Sequence, residues 1–333
     1  MSINIHNAVL HIIDNTTGKI YLSGQELDYE SEACYDFICK HIKKLLNGAA
    51  VKNATFSPDS EFYADICSFK NRGLYFMPLS VKITEKMAEV IINNPDIAPA
   101  DILIVSFSTN EIPYIGVFKL NYNECYTHKI DISGTEIDNQ IIKYHSVLPA
   151  TGGNKVEEAC LIPLNVMVVK LVEKKHLVSG EMGFYFSNYV LDCNTELSKQ
   201  ESVKVIESVN KKINSKFFNQ HVDNLAQVNN AIIEEAEEGE GIVRMENVAH
   251  RAFAEAPGVK EEYIKLIREG GIKEDLDLGE EFTRKHFGVQ KFKADNGIEI
   301  KFPAEITEDG SVLFKHNADG TVTITLMNLR GKI

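Results

Sequence analysis

Asp101-ILIVSFS-Thr109, then Tyr114-IGVFKL-Asn121 and Glu124-CYTHKIDI-Ser133, are the runs whose reading sets the fold class. Each is short, rich in β-branched and aromatic residues, and bounded by Asn, Pro, Asp or Gly, as strands are. Three such strands in succession predict an antiparallel meander. Toward the N-terminus, Ala8, Leu10 and Ile12 alternate with Val9, His11 and Ile13, and the turn residues Asn15-TT-Gly18 precede Ile20 and Leu22, so residues 3 to 22 read as an opening hairpin. A helix is expected from Ser31 to Asn47, where Cys34, Phe37, Ile38, Ile42, Leu45 and Leu46 recur at three- and four-residue spacing before Gly48. A second helix begins at Ser57-Pro58-Asp59 and runs through Phe69, and a third covers Thr84 to Asn93. Beyond the meander, Val156 to Pro163 and Val166 to Lys174 read as strands, and Glu181 to Cys193 as a short aromatic helix. Residues 1–195 are therefore expected to form one α+β domain with a mostly antiparallel sheet.

From Ser198 the period changes. Ser198-KQ-Glu201 is a capping box directly ahead of Val203, Ile206, Val209, Ile213 and Phe217 at helical spacing. Helical stretches follow at Val222 to Ala236, Met245 to Ala256 and Glu261 to Glu269. The tail returns to period two: Lys291-FKADNGIEIKF-Pro303 places Ile298, Ile300 and Phe302 on one face across an Asn-Gly turn, and Ser311-VLFKHNADGTVTIT-Leu326 repeats the device at Asp319-Gly320. Residues 196–333 thus read as a helical region ending in two β-hairpins, and the whole chain as α+β. Long amphipathic helices between two β-rich parts also raise the expectation of a homodimer.

The 333 residues carry 35 Lys and Arg against 48 Asp and Glu, a net charge of −13, so the surface as a whole repels phosphate. The excess is uneven. Residues 1–110 hold 9 basic and 13 acidic groups, 111–220 hold 12 and 13, and 221–333 hold 14 and 22. The six cysteines form no C-x-x-C pair and read as free thiols of a reducing cytoplasm. No apolar stretch approaches the ~18 residues needed to span a bilayer, and the N-terminus lacks a secretory signal pattern, so a cytoplasmic, non-membrane protein is expected.

Motifs for chemistry are absent. There is no H-E-x-x-H, no phosphate-cradling glycine loop and no G-x-S-x-G, and His6 and His11 stand on opposite faces of a strand. Asp275-LDLGE-Glu281 departs from the calcium-loop pattern and is explained by a loop feeding a helix N-terminus. No catalytic residue, metal site or cofactor is expected. Between Lys199 and Phe218, however, five lysines face two glutamates. On a helical wheel Lys204, Lys211, Lys212 and Lys216 share one arc, which could meet a phosphate backbone while the apolar stripe is buried. A solvated helix face explains the same lysines, so both readings stand. Lys285, His286, Lys291 and Lys293 form a weaker second patch. No recognised base-reading motif occurs.

In the order of these elements the chain resembles the bacterial nucleoid-associated protein family of the NdpA/YejK type. The resemblance covers nearly the whole length and is carried by Ile5-HNAVLHIID, the segment Ile104 to Leu120 with Tyr126-THK, Cys160-LIPL, Glu181-MGFYF-Ser187, Gly297-IEIKFPAEI and Asn317-ADGTVTITLMNL. It implies a cytoplasmic protein of the nucleoid that associates with DNA, without an established enzymatic activity, and brings no residue-level binding motif. Two expectations follow: non-specific phosphate contact through Lys204, Lys211, Lys212 and Lys216, or docking of the acidic stretch Glu234 to Glu281 on a basic nucleoid protein. A metal-dependent hydrolase built on Asp275 and Asp277 is a third, distant one.

Overall fold

A computed structural model describes residues 2–133, 136–148, 156–219, 222–273, 275–307, 311–317 and 321–327. The chain is mixed α+β and divides into two compact units, Met1–Glu196 and Leu197–Ile333. In chain order the first contains β1 (Asn4–Asp14), β2 (Lys19–Tyr21), α1 (Glu32–Leu46), β3 (Lys52–Phe56), α2 (Glu61–Lys70), α3 (Phe76–Asn93), β4 (Ala100–Thr109) and β5 (Ile112–Asn121). It continues with β6 (Asn123–Ser133), β7 (Glu136–Val147), β8 (Glu158–Pro163), β9 (Val169–Val172), β10 (His176–Val178), β11 (Glu181–Gly183), a π-helical turn (Phe186–Leu191) and β12 (Cys193–Thr195). Eight of the strands form one antiparallel sheet in the order β12-β3-β9-β8-β5-β4-β1-β2.

Both faces of this sheet are covered, because in the central strands both alternating sets of side chains are apolar. Ile102, Ile104, Ile115, Val117, Cys160 and Ile162 pack with α2, α3 and the π turn. Leu103, Val105, Phe107, Phe118 and Leu161 pack with Ile38, Ile42 and Leu45 of α1 on the other side. The opening hairpin is β1–β2, with β1 pairing β4 along its other edge.

Three expectations are corrected here. The meander stops at two strands: β5 is flanked by β4 and β8, while β6 turns away and pairs with β7 as a separate two-stranded ribbon. β8, Glu-ACLI-Pro, is apolar on both faces and suits a twice-covered sheet, whereas β6 places His128 and Lys129 on opposite faces and Tyr126 and Ile130 remain exposed. The aromatic helix expected over Glu181 to Cys193 is a strand, a π turn closed by Asp192 in the left-handed region, and a second strand that pairs with β3. Helix α3 begins at Phe76, well before Thr84, since Pro78 sits in the first turn, where the missing N–H costs nothing.

The second unit contains α4 (Lys199–Phe217), α5 (Val222–Glu238), β13 (Ile242–Val243), α6 (Met245–Ala252), α7 (Pro257–Glu269), β14 (Leu276–Asp277), α8 (Glu280–Phe287), β15 (Val289–Lys293), β16 (Glu299–Pro303), a 3-10 turn (Ala304–Thr307), β17 (Val312–His316) and β18 (Val322–Leu326). α6 ends sooner than Ala256, and α7 starts at Pro257 in the N1 position that favours proline. The terminal hairpins are β15–β16 and β17–β18; Asn296 accepts the Ile298 N–H at the first turn and Gly297 takes φ +88, while Asp319-Gly320 lies outside the described residues. β13 and β14 are held where Gly241 passes Gly279: a Cβ on Gly241 would stand 2.8 Å from the Gly279 Cα, so no other residue fits.

The start of α4 is fixed reciprocally, as its sequence predicts. The Ser198 hydroxyl accepts the Glu201 N–H at 3.2 Å, and the Glu201 carboxylate accepts the Ser198 N–H at 2.9 Å. Ser198→Ala removes one half of that box and is expected to cost about 1 kcal/mol of unfolding free energy, read by urea titration of the full chain, with Ser198→Asp losing less.

Candidate nucleic-acid interface

Capping sets where α4 begins, and its apolar stripe sets which way it turns. Val203, Ile206, Val209 and Ile213 are buried against Val228, Ile232 and Ala236 of α5 and Tyr263 and Ile267 of α7. Beside them Asn210 accepts the Tyr263 hydroxyl at 3.0 Å in the same dry interface, and burial drives that phenol's pKa well up. With this face inward, Lys204, Lys211, Lys212 and Lys216 are all exposed. Between the first and the last the helix rises about 18 Å, the length of roughly five base pairs.

Their electrostatic states differ. Lys216 donates to Glu262 of α7 at 2.8 Å, lies 5.1 Å from the Phe217 ring, and holds the Glu262 carboxyl below its ordinary pKa. Lys204, Lys211 and Lys212 make no ion pair among the described residues. Of the two glutamates on the helix, Glu201 is committed to the capping box. The second patch fares worse, because Lys291 is bridged to Glu299 at 2.9 Å and His286 lies against Phe282 at 4.3 Å.

The acidic stretch is largely answered from within. Arg251 reaches Glu234, Glu235 and Glu238; Arg244 reaches Glu235; and Arg284 reaches Glu237 and Glu305. Glu235 is buried and also accepts Asn247 at 2.8 Å. Asp275 and Asp277 are paired with Arg244 and Lys199, at 3.4 and 3.3 Å, and belong to no ligand set among the described residues. Cysteine chemistry is also quiet: all six are free thiols, and burial pushes Cys160 up strongly and Cys193 up to about 12.

One cluster has no counterpart in the sequence reading. In the first unit Glu158 and Lys119 are completely buried, 3.3 Å apart, and His176 Nε2 lies 2.7 Å from the other Glu158 oxygen. Glu157 is held by Lys174 at 2.8 Å and by the Asn121 amide at 2.9 Å. Glu157, Glu158 and His176 bring their ligand atoms within 4.8 Å of one another, the spacing a metal ion would need. Yet the Lys119 and Lys174 ammonium groups already stand against these carboxylates, so the donor set is charge-balanced and does not fit a cation. Burial lowers the Lys119 pKa, opposed by Glu158; burial would raise that of Glu157, but Lys174 holds it low; and burial raises that of Tyr185, whose hydroxyl faces Glu158. A signal was present: Lys119 interrupts an apolar run and Glu158 opens one, and a charge inside a twice-covered strand requires a partner.

A family model described as "Nucleoid-associated protein YejK" matches residues 9–333, and the chain belongs to that family. No curated protein matches the sequence. Among the described residues no helix is long and apolar enough to cross a membrane.

The buried network carries its own test. Glu158→Leu leaves Lys119 without its counter-charge and is expected to cost about 3 to 5 kcal/mol, whereas Lys119→Met combined with Glu158→Leu should cost clearly less than the single change. Chemical denaturation of the parent, the Lys119→Met and Glu158→Leu single variants and the double variant separates the outcomes; a double loss equal to the sum of the two single losses would show that the two charges are not coupled.

Proposed function

We propose that this member of the YejK nucleoid-associated family binds duplex DNA directly and without base readout, through the outward lysine face of α4, and that it performs no chemistry on the DNA. The observation that supports this most is the segregation of charge on one helix: an inward stripe with no lysine, and an outward arc on which Lys204, Lys211 and Lys212 have no carboxylate partner among the described residues. Lysines spaced along a helix offer point charges to phosphates and no geometry for reading base edges. Lys216 contributes by exchanging Glu262 for a phosphate, at little cost in an exposed pair.

The rest of the surface limits the affinity. A body of −13 opposes a polyanion at long range, so contact is confined to the helix and is weak at physiological salt. Docking of the acidic stretch on a basic partner is less favoured, because Glu234, Glu235, Glu237 and Glu238 are engaged by arginines of α6 and α8 or by Arg244. In a homodimer a second lysine face would double the phosphates met.

With three or four phosphates neutralised, log affinity for a duplex of arbitrary sequence should fall with log salt at a slope of about −3. Replacing Lys204, Lys211, Lys212 and Lys216 together by Glu should abolish binding at low salt, and duplexes of different sequence should bind alike. Unchanged affinity in that variant would exclude this helix.

A further inference from the structure

The first unit carries an open cleft of about 970 Å³ where the N-terminus of α3 leaves the end of the sheet uncovered. Strand residues Asn7 and Ser106, paired across β1 and β4, form part of its floor. Ser106 is 8% exposed, and its hydroxyl has no hydrogen-bond partner among the described residues. The residue is otherwise enclosed, so that hydroxyl can be answered only from the cleft side, by water or by a polar group of a ligand.

The rim has two chemical characters. On one side stand Lys70, the last residue of α2, and Arg72, both exposed and without an ion pair among the described residues. Beside them α3 begins with no side-chain cap and no acidic residue in its first turn, so its positive end is not neutralised locally. Also on the rim is the Tyr75 ring, 78% exposed immediately before the helix. Glu26 lies there too, its carboxylate held by the Asn7 amide at 3.0 and 3.2 Å, a fixed acceptor for hydroxyl or amino groups.

Cations, an aromatic platform, a hydroxyl without a protein partner among the described residues and an oriented acceptor in one cleft match a ligand that has an anionic end, a flat ring and donor groups. We propose that this cleft binds a nucleoside phosphate, with the phosphate at Lys70, Arg72 and the start of α3, and the base against Tyr75. The ligand chemistry is shared by a free mononucleotide and by one nucleotide of a single strand. The site is separate from the α4 face and does not depend on it.

Isothermal titration of the full chain with adenosine monophosphate, with inorganic phosphate and with a short oligothymidylate tests the assignment. Saturable binding of the mononucleotide or the strand is expected, weakened about tenfold or more by Tyr75→Ala, the loss of one base stack. Arg72→Gly should weaken it comparably and is safe for the backbone, since Arg72 sits at φ +60, where glycine is unstrained. Binding of the mononucleotide with competition by the strand assigns the site to both sources; binding of one alone assigns it to that one. The four Lys→Glu changes on α4 should leave mononucleotide binding unaltered. The proposal is overturned if neither probe binds, if inorganic phosphate binds as tightly as the nucleotide, or if Tyr75→Ala and Arg72→Gly bind like the parent protein.

Discussion

Covering the central strands β4, β5 and β8 on both faces is the constraint from which the rest of the first unit follows. Such strands accept apolar side chains on either side and tolerate a charge only with a counter-charge in place. That is why β6, with polar groups on both faces, leaves the sheet for β7, and why Lys119 and Glu158 meet in the interior. The interior pair adds little net stability against an apolar alternative, but removing one member leaves the other unsolvated. Where α3 stops short of covering the sheet, the polar floor residues Asn7 and Ser106 open onto the cleft.

In the second unit the corresponding device is rotational. A capping box and an apolar stripe fix the start and the turn of α4, and its lysines then have no choice of direction. The surrounding carboxylates are drawn into bridges with Arg244, Arg251 and Arg284, so the most acidic third of the chain spends much of its charge internally. A net charge of −13 and a local cationic face are thereby compatible: the first governs long-range repulsion, the second contact within a Debye length.

Much of this was legible from residues alone. The Ser198-KQ-Glu201 box, the period of α1, the alternation of β1 and the Asn296-Gly297 turn are local signals, and each element forms where its signal stands. What depended on distant partners was not legible. β6 fails to join β5 because β8, a later segment, takes that edge. Strands as short as β3, β10 and β12 exist through the edges they pair with and not through their own pattern. The partner of Lys119 could be required from the sequence but not named, and the cleft brings Ser106 together with Lys70, Arg72 and Tyr75 only after the sheet and α3 have met. The lysine arc, by contrast, was readable because helical spacing alone defines it.

The claim that α4 is the DNA-contacting face is tested most directly by a lysine footprint: the full chain is treated with an amine-reactive reagent with and without duplex DNA, and modification at each lysine is read by mass spectrometry. Protection is expected to concentrate at Lys204, Lys211 and Lys212, with Lys216 following, while lysines of the first unit react alike in both samples. Protection centred on other lysines, or no difference at α4 under conditions where the duplex is bound, would contradict it.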